Sequence, residues 1–111
     1  RRQVLAVCGD GAFQMSLCEL ATVAASHAPL KVVVFDNRRL GMVREYQNSR
    51  YARRHIGTHM DGNPDFVALC QLWDPAAWPK QPGGGAPGKG NAPVPRPYVL
   101  VCRVDPETPS V

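Results

Sequence analysis

Residues 8–37 read CGDGAFQMSLCELATVAASHAPLKVVVFDN, and this stretch decides the fold. Two apolar runs frame it, Val4-Leu5-Ala6-Val7-Cys8 and Leu30 to Phe35, the second built on Val32-Val33-Val34. Short continuous apolar runs predict buried parallel strands, here over 2–8 and 30–35. Between them Phe13, Leu17, Leu20, Ala21 and Ala24 recur at spacings of three and four. That is the period of an amphipathic helix, predicted over 13–26. His27-Ala28-Pro29 ends it, because the residue before a proline is driven out of the α region. Strand, helix and strand in that order make a βαβ unit, right-handed almost without exception, so the fold class is α/β with a parallel sheet. Both strands then end on one edge of the sheet, where ligands of open α/β sheets bind. Asp10 and Asn37 meet at that edge although 27 positions separate them.

They offer a carboxylate and an amide oxygen, both hard ligands. Such a pair suits Mg²⁺, an oxygen-seeking ion usually shared with substrate phosphates. Gly9 and Gly11 allow a tight turn and close approach of an anion. A helix opening near Ala12-Phe13 adds unpaired N–H groups. The physical reading is a magnesium-bridged diphosphate site. The bland alternative is a turn in which Asp10 caps the helix and Asn37 shapes the loop, and a GDG triad alone favours the cap.

The spacing shifts that balance. GDG, a gap, and a pair ending in Asn resembles the thiamine-diphosphate motif. The following LGMVREYQ and the later NPDF are similar to acetolactate synthase large subunits and their close relatives. The resemblance covers Arg2 to about Leu69 and returns over 97–107 as PYVLVCRVDPE. It implies a parallel-sheet thiamine-diphosphate-binding fold, here incomplete, that holds thiamine diphosphate through Mg²⁺. The implied metal ligands are Asp10, Asn37 and the backbone carbonyl of Arg39. The implied cofactor-binding residues are Gly9, Asp10, Gly11, Ala12, Asn37, Arg39, Gly41 and Met42. Met42, Val43 and Tyr46 correspond to positions lining the cofactor and substrate channel; read from the sequence alone, Met42 and Val43 are equally well core. Asp36 departs from the family, which usually has Asn there, and Tyr46 stands where many relatives carry Trp.

The same resemblance implies the wider setting. The cofactor carries the chemistry on a 2-keto acid such as pyruvate, within branched-chain amino-acid biosynthesis. The active site is shared between subunits of a homodimer or tetramer, with FAD and a regulatory subunit possible in the full-length enzyme. The glutamate that activates the cofactor belongs to another domain on a partner subunit, and no residue here matches it. Glu19 and Glu45 read as helix-surface groups, so no catalytic acid or base is assigned, and the chain alone is expected to be inactive. Other thiamine-diphosphate enzymes (a 2-keto acid decarboxylase, glyoxylate carboligase or oxidase) are the alternative within the class. A non-catalytic basic binding module is the alternative outside it.

Composition bounds these readings. The chain has 111 residues, no initiator Met and a first strand within a few residues of Arg1, so it reads as a piece of something longer. No apolar run approaches the roughly 18 residues of a membrane span, and no signal peptide is visible. Cys8, Cys18, Cys70 and Cys102 lie far apart without a CxxC pair. They read as reduced thiols in a cytoplasmic protein rather than metal ligands. Six of the 13 Lys and Arg fall between Arg38 and Arg54. This cluster can attract an anion or be a solvated face. No helix-turn-helix, RNP or zinc-finger pattern makes it a nucleic-acid surface.

Beyond Gly41 a short helix is expected over 42–47. Residues 48–62 are polar and aperiodic, a stretch that in the family covers the active site and orders when cofactor binds. His55 and His59 lack the Glu of HExxH and read as loop residues. Asn63 is expected to cap a helix with Pro64 in its first turn. The domain core thus spans 1–72, an irregular Pro/Gly segment 73–97, and a terminal strand and tail 98–111. From Asp74 to Pro97, 12 of 24 residues are Pro or Gly, a composition that buries little. The family pattern of strand and helix is missing over 71–96 and resumes cleanly at Pro97. Two compensating frameshifts in a GC-rich gene account for that, against the competing account of a flexible linker. Translating the coding DNA in the other two frames decides between them.

Overall fold

The computed structural model of the chain describes residues 2–73 and 97–107. Its elements in order are β1 (Val4–Gly9), α1 (Asp10–Met15), α2 (Glu19–Ser26), β2 (Leu30–Asp36), α3 (Gly41–Arg50), α4 (Phe66–Trp73) and β3 (Tyr98–Arg103). The strands form one sheet in the order β1-β2-β3, and both pairs are parallel. The βαβ reading and the later strand are therefore as the apolar runs predict. Of the expectations for the Pro/Gly tract, including a lesion over 71–96, the part over 74–96 lies outside the described residues, while Gln71 to Trp73 belong to α4.

Alternation along β2 builds the core. Val32, Val34 and Asp36 are buried, while Phe35 between them is exposed. Helices α1, α2 and α4 bring Phe13, Leu20, Ala24, Phe66 and Cys70 onto that buried face, with Val99 from β3. The rings of Phe13 and Phe66 meet edge to face, 5.3 Å between centroids at 84°. Each such buried side chain contributes about 1.5–3 kcal/mol of transfer free energy, much of it offset by ordering the chain.

Three expectations are corrected. β1 is half-exposed and, among the described strands, outermost: Ala6 and Cys8 pack on the core, but Val4, Leu5 and Val7 are exposed. The helix expected over 13–26 begins three residues earlier and breaks at Ser16–Cys18, where Ser16, Glu19 and Leu20 each donate to a carbonyl three residues back. A period of three and four survives such a break, so the apolar spacing does not reveal it. The helix expected over 42–47 runs from Gly41 to Arg50.

Helix α2 ends on His27 in the left-handed region, φ 48°. The N–H of His27 donates to Ala24 and that of Ala28 to Val23, the two bonds of a Schellman closure. A side chain with a Cβ is strained at that φ. His27→Gly is expected to raise stability by about 0.5–1 kcal/mol, read as a shift of the denaturant midpoint at constant slope.

The four cysteines stand free. Cys70 is 1% exposed, and burial pushes its thiol up to about 11 from 9.0. A thiol reagent at pH 8 is expected to label exposed Cys18 and spare Cys70 in the folded chain. The folded value lies above the unfolded one. The contribution of neutral Cys70 is therefore intact below about pH 9 and lost as pH rises towards 11. Cys70→Ala should flatten that part of a melting-temperature profile.

Candidate functional site

Strand register creates the site. Gly9 of β1 pairs with Phe35 of β2, so the next residues, Asp10 and Asp36, fall beside each other at the C-terminal edge. The alternation that buries Val32, Val34 and Asp36 sends Phe35 and Asn37 the other way. Asp36 thus belongs to the core side, and Asn37 to a cleft of about 400 Å³. The cleft is lined by the turn Gly9 to Ala12, by Phe35 and Asn37, and by Arg39 to Val43. All eight residues expected to bind cofactor line it, and so does Val43. Tyr46 does not. It lies one turn further along α3, more than half exposed, with its ring against Tyr51.

The polar atoms of this edge are organised by short hydrogen bonds. Asn37 Oδ1 accepts the N–H of Arg39 at 3.0 Å, and Asp36 Oδ1 that of Arg38 at 3.2 Å. Asn37 does shape the loop, as the bland reading held, and its oxygen keeps a second lone pair. Asp10 does not cap α1. The N-cap position is Gly9, and no side chain caps this end. Instead Asp10, 1% exposed, accepts a 2.7 Å bond at Oδ2 from Asn63 Nδ2, which also reaches Asp36 Oδ1 at 3.1 Å. Burial pushes the Asp10 carboxyl upward; the N–H groups of Asn63 and Gly11 draw it down, and the neighbouring Asp36 carboxyl pushes it up again. None of these partners is cationic, and a buried carboxylate without a cation is costly.

Asn63 is the residue that sequence reasoning placed wrongly. The cap of α4 is Asp65, whose Oδ1 accepts the N–H groups of Val67 and Ala68 at 3.0 Å. Pro64 accordingly precedes the helix rather than opening it. An asparagine before a proline and an apolar run reads locally as a cap, and nothing local links residue 63 to residue 10.

The segment over 54–60 is zipped onto the loop after β2. Leu40 N–H donates to Thr58 and Met60 N–H to Arg38, around an antiparallel bridge of Arg39 with His59. That bridge uses the carbonyl of Arg38 and the N–H of Leu40, so it does not occupy the Arg39 carbonyl. Gln47 closes the far end, its side chain pairing with both N–H and C=O of Ile56 at 3.0 Å. A Cβ added at Gly11 would stand 2.6 Å from Leu40 Cδ2 and 3.2 Å from Met60 Sδ. A side chain at Gly11 would thus make the ends of Leu40 and Met60 in the zipped loops give way. At Gly9 a Cβ would meet nothing within 4 Å, so space is open there.

The basic cluster is partly spent within the chain. Arg39 pairs with Asp61 at 3.1 Å, and Arg44 with Glu107 and the carbonyl of Pro106 at 2.7 and 2.8 Å. His55 contacts Asn48 and His59 lies near Asp61. Among the described residues no three of His, Cys, Asp and Glu converge on a metal position. No described helix is long and apolar enough to cross a membrane. The Asp10 carboxylate, the Asn37 amide and backbone carbonyls offer oxygen ligands at the cleft, with neither thiolate nor imidazole in its lining. That set fits Mg²⁺ rather than zinc.

Comparison with known proteins bears on this arrangement. The family model for the C-terminal TPP-binding domain of thiamine pyrophosphate enzymes matches residues 1–76. The acetolactate synthase isozyme 2 large subunit of Escherichia coli K12 is 46% identical over 70 residues, 63% of this chain. A probable acetolactate synthase large subunit of Methanococcus aeolicus is 41% identical over 71 residues, 64% of the chain. The chain spans only 13% and 12% of those two proteins. Among solved structures, a thiamine diphosphate-dependent 4-hydroxybenzoylformate decarboxylase of Rhodococcus jostii superposes with a TM-score of 0.70 over 94% of this chain and 20% of its own. A benzoylformate decarboxylase of Polynucleobacter necessarius gives 0.71 over 98% and 21%. At 19% and 20% identity these two likenesses speak for the fold alone.

Proposed function

Because the chain belongs to the thiamine pyrophosphate enzymes, through their C-terminal TPP-binding domain, we propose that its cleft holds the diphosphate of thiamine diphosphate through Mg²⁺. Asp10 would supply the charged ligand, Asn37 the amide oxygen and Arg39 its backbone carbonyl, leaving positions for phosphate oxygens and water. The observation that carries this reading is the convergence of Asp10, Asn37 and Arg39 on one cleft, with the Asp10 carboxylate buried and its partners among the described residues uncharged or acidic. Helix α1, at six residues, carries little dipole, so the metal rather than the helix end does the anchoring. Gly9, Ala12, Gly41 and Met42 form walls, and the apolar surface of Phe35, Met42 and Val43 is open to a ring system.

When bound, thiamine diphosphate supplies the carbanion chemistry on a 2-keto acid. The chain's own residues bind and orient. Among the described residues, Asp10 and Arg39 are the ionisable side chains that line the cleft. The cleft therefore holds a cofactor and offers no further acid or base. The curated relatives favour an acetolactate synthase type of transferase, with pyruvate as a substrate and the remaining catalytic groups supplied outside these 111 residues. Oligomer, regulatory subunit and FAD belong to that longer protein.

Titration calorimetry of the chain with thiamine diphosphate tests the reading. Saturable binding in Mg²⁺ that disappears with a chelator is expected. Binding indifferent to the metal, or none in folded protein, would refute it.

A further inference from the structure

We propose that Asn63 is a positioning residue for the cation site, its amide tying the Asp10 and Asp36 carboxyls together so that Asp10 presents its remaining oxygen to the cleft. The inference rests on the reading of the cleft as a Mg²⁺ site.

The geometry is specific. Asn63 Nδ2 stands 2.7 Å from Asp10 Oδ2 and 3.1 Å from Asp36 Oδ1. An amide nitrogen carries two hydrogens, one for each acceptor. Facing two carboxylates, only the nitrogen end of the amide is acceptable, so the orientation follows from chemistry. The backbone of Asn63 is itself held, donating to Met60 at 3.2 Å. Met60 in turn donates to Arg38 and lies against Gly11, within the turn that lines the cleft. The turn over 60–63 therefore fixes the amide to the same loops that form the cleft wall.

Charge explains why an amide suits the position. A lysine there would donate to both carboxyls and offset one of their two charges, competing with the cation. An amide supplies the hydrogens and leaves the negative charge for Mg²⁺. Partners that orient a ligand from behind are typically worth 10–100-fold in metal affinity.

Mg²⁺ affinity, measured by calorimetry in the full chain at saturating thiamine diphosphate, tests the role without relying on turnover. Asn63→Ala is expected to weaken Mg²⁺ about 10–100-fold. Asn63→Asp, which leaves three carboxyls and no donor, should weaken it further. Adding Asp36→Asn to Asn63→Asp returns one amide to the trio and should recover about tenfold or more. A purely structural role for Asn63 predicts no such reciprocal rescue. If Asn63→Ala binds Mg²⁺ within about twofold of the parent while Asp10→Ala does not bind, the positioning role is wrong and the site reading stands. If Asp10→Ala also binds as the parent does, the site reading fails and this inference with it. Should Asn63→Ala not fold, the swap decides: a folded double variant no better than Asn63→Asp overturns the proposal.

Discussion

Asp10→Ala is expected to abolish Mg²⁺-dependent binding of thiamine diphosphate, and Asn37→Ala to weaken it by more than about 100-fold, the upper range for losing even an indirect partner. Asp10 is the one carboxylate among the proposed ligands, and it is 1% exposed, so no solvent-borne group takes its place. Asn37→Ala acts twice. It removes an oxygen from the cleft, and it removes the acceptor that fixes the Arg39 N–H at 3.0 Å and thereby the attitude of the Arg39 carbonyl. Folding should respond in the opposite sense for Asp10. Its carboxyl lies buried beside that of Asp36, so its removal relieves a repulsion that the cation-free protein bears. The cation-free variant should melt no lower than the parent, the usual exchange of stability for a functional site. Parent-like affinity in either variant, by calorimetric titration, would remove both residues from the metal site.

The parts of this edge that the sequence made legible are those governed by local runs and short periods. A continuous apolar run gives β2, but the alternation along it is seen only in the structure, where buried Val32 and Val34 put Asp36 on the core side and Asn37 in the cleft. A period near 3.6 gives α1 and α2 without their break. Leu20 and Ala24 keep their buried face on either reading. Motif resemblance gathers Gly9, Asp10, Gly11, Ala12, Asn37, Arg39, Gly41 and Met42, and the structure brings these to one cleft. It also offers Tyr46, which the structure sets outside that lining.

What stayed hidden depends on contacts between distant segments. Asn63 lies 53 residues from Asp10, and a cap role explained it locally. Gly11 invited an argument about anions. Only the zipped loops over 38–40 and 58–60 reveal that Leu40 and Met60 would meet its Cβ. Gln47 looked like the end of a short helix, yet its side chain closes the loop at Ile56 and α3 continues to Arg50. In each case the deciding partner is tertiary, and no period in the sequence encodes it.

The largest loss of stability is expected at Phe66. It is 2% exposed, opens α4, and meets Phe13 edge to face across the core. Truncation of a buried phenylalanine costs about 3–5 kcal/mol through lost transfer energy and the cavity left behind. The aromatic pair adds about 0.5–1.5 kcal/mol within that figure. Since whole domains are stable by only about 5–15 kcal/mol, Phe66→Ala removes a large share of what holds the chain together. Phe66→Leu keeps most of the volume and should cost clearly less. Position links this core residue to the site: Asn63 stands three residues before Phe66, and Phe13 three after Asp10. The ring pair thus clamps the two segments whose side chains meet at 2.7 Å. Phe66→Leu, where it folds, should therefore weaken Mg²⁺ binding as well as stability. Denaturant unfolding gives the first quantity and calorimetry the second. A loss below about 1 kcal/mol for Phe66→Ala would mean that the helix α4 is not held to the sheet through this ring.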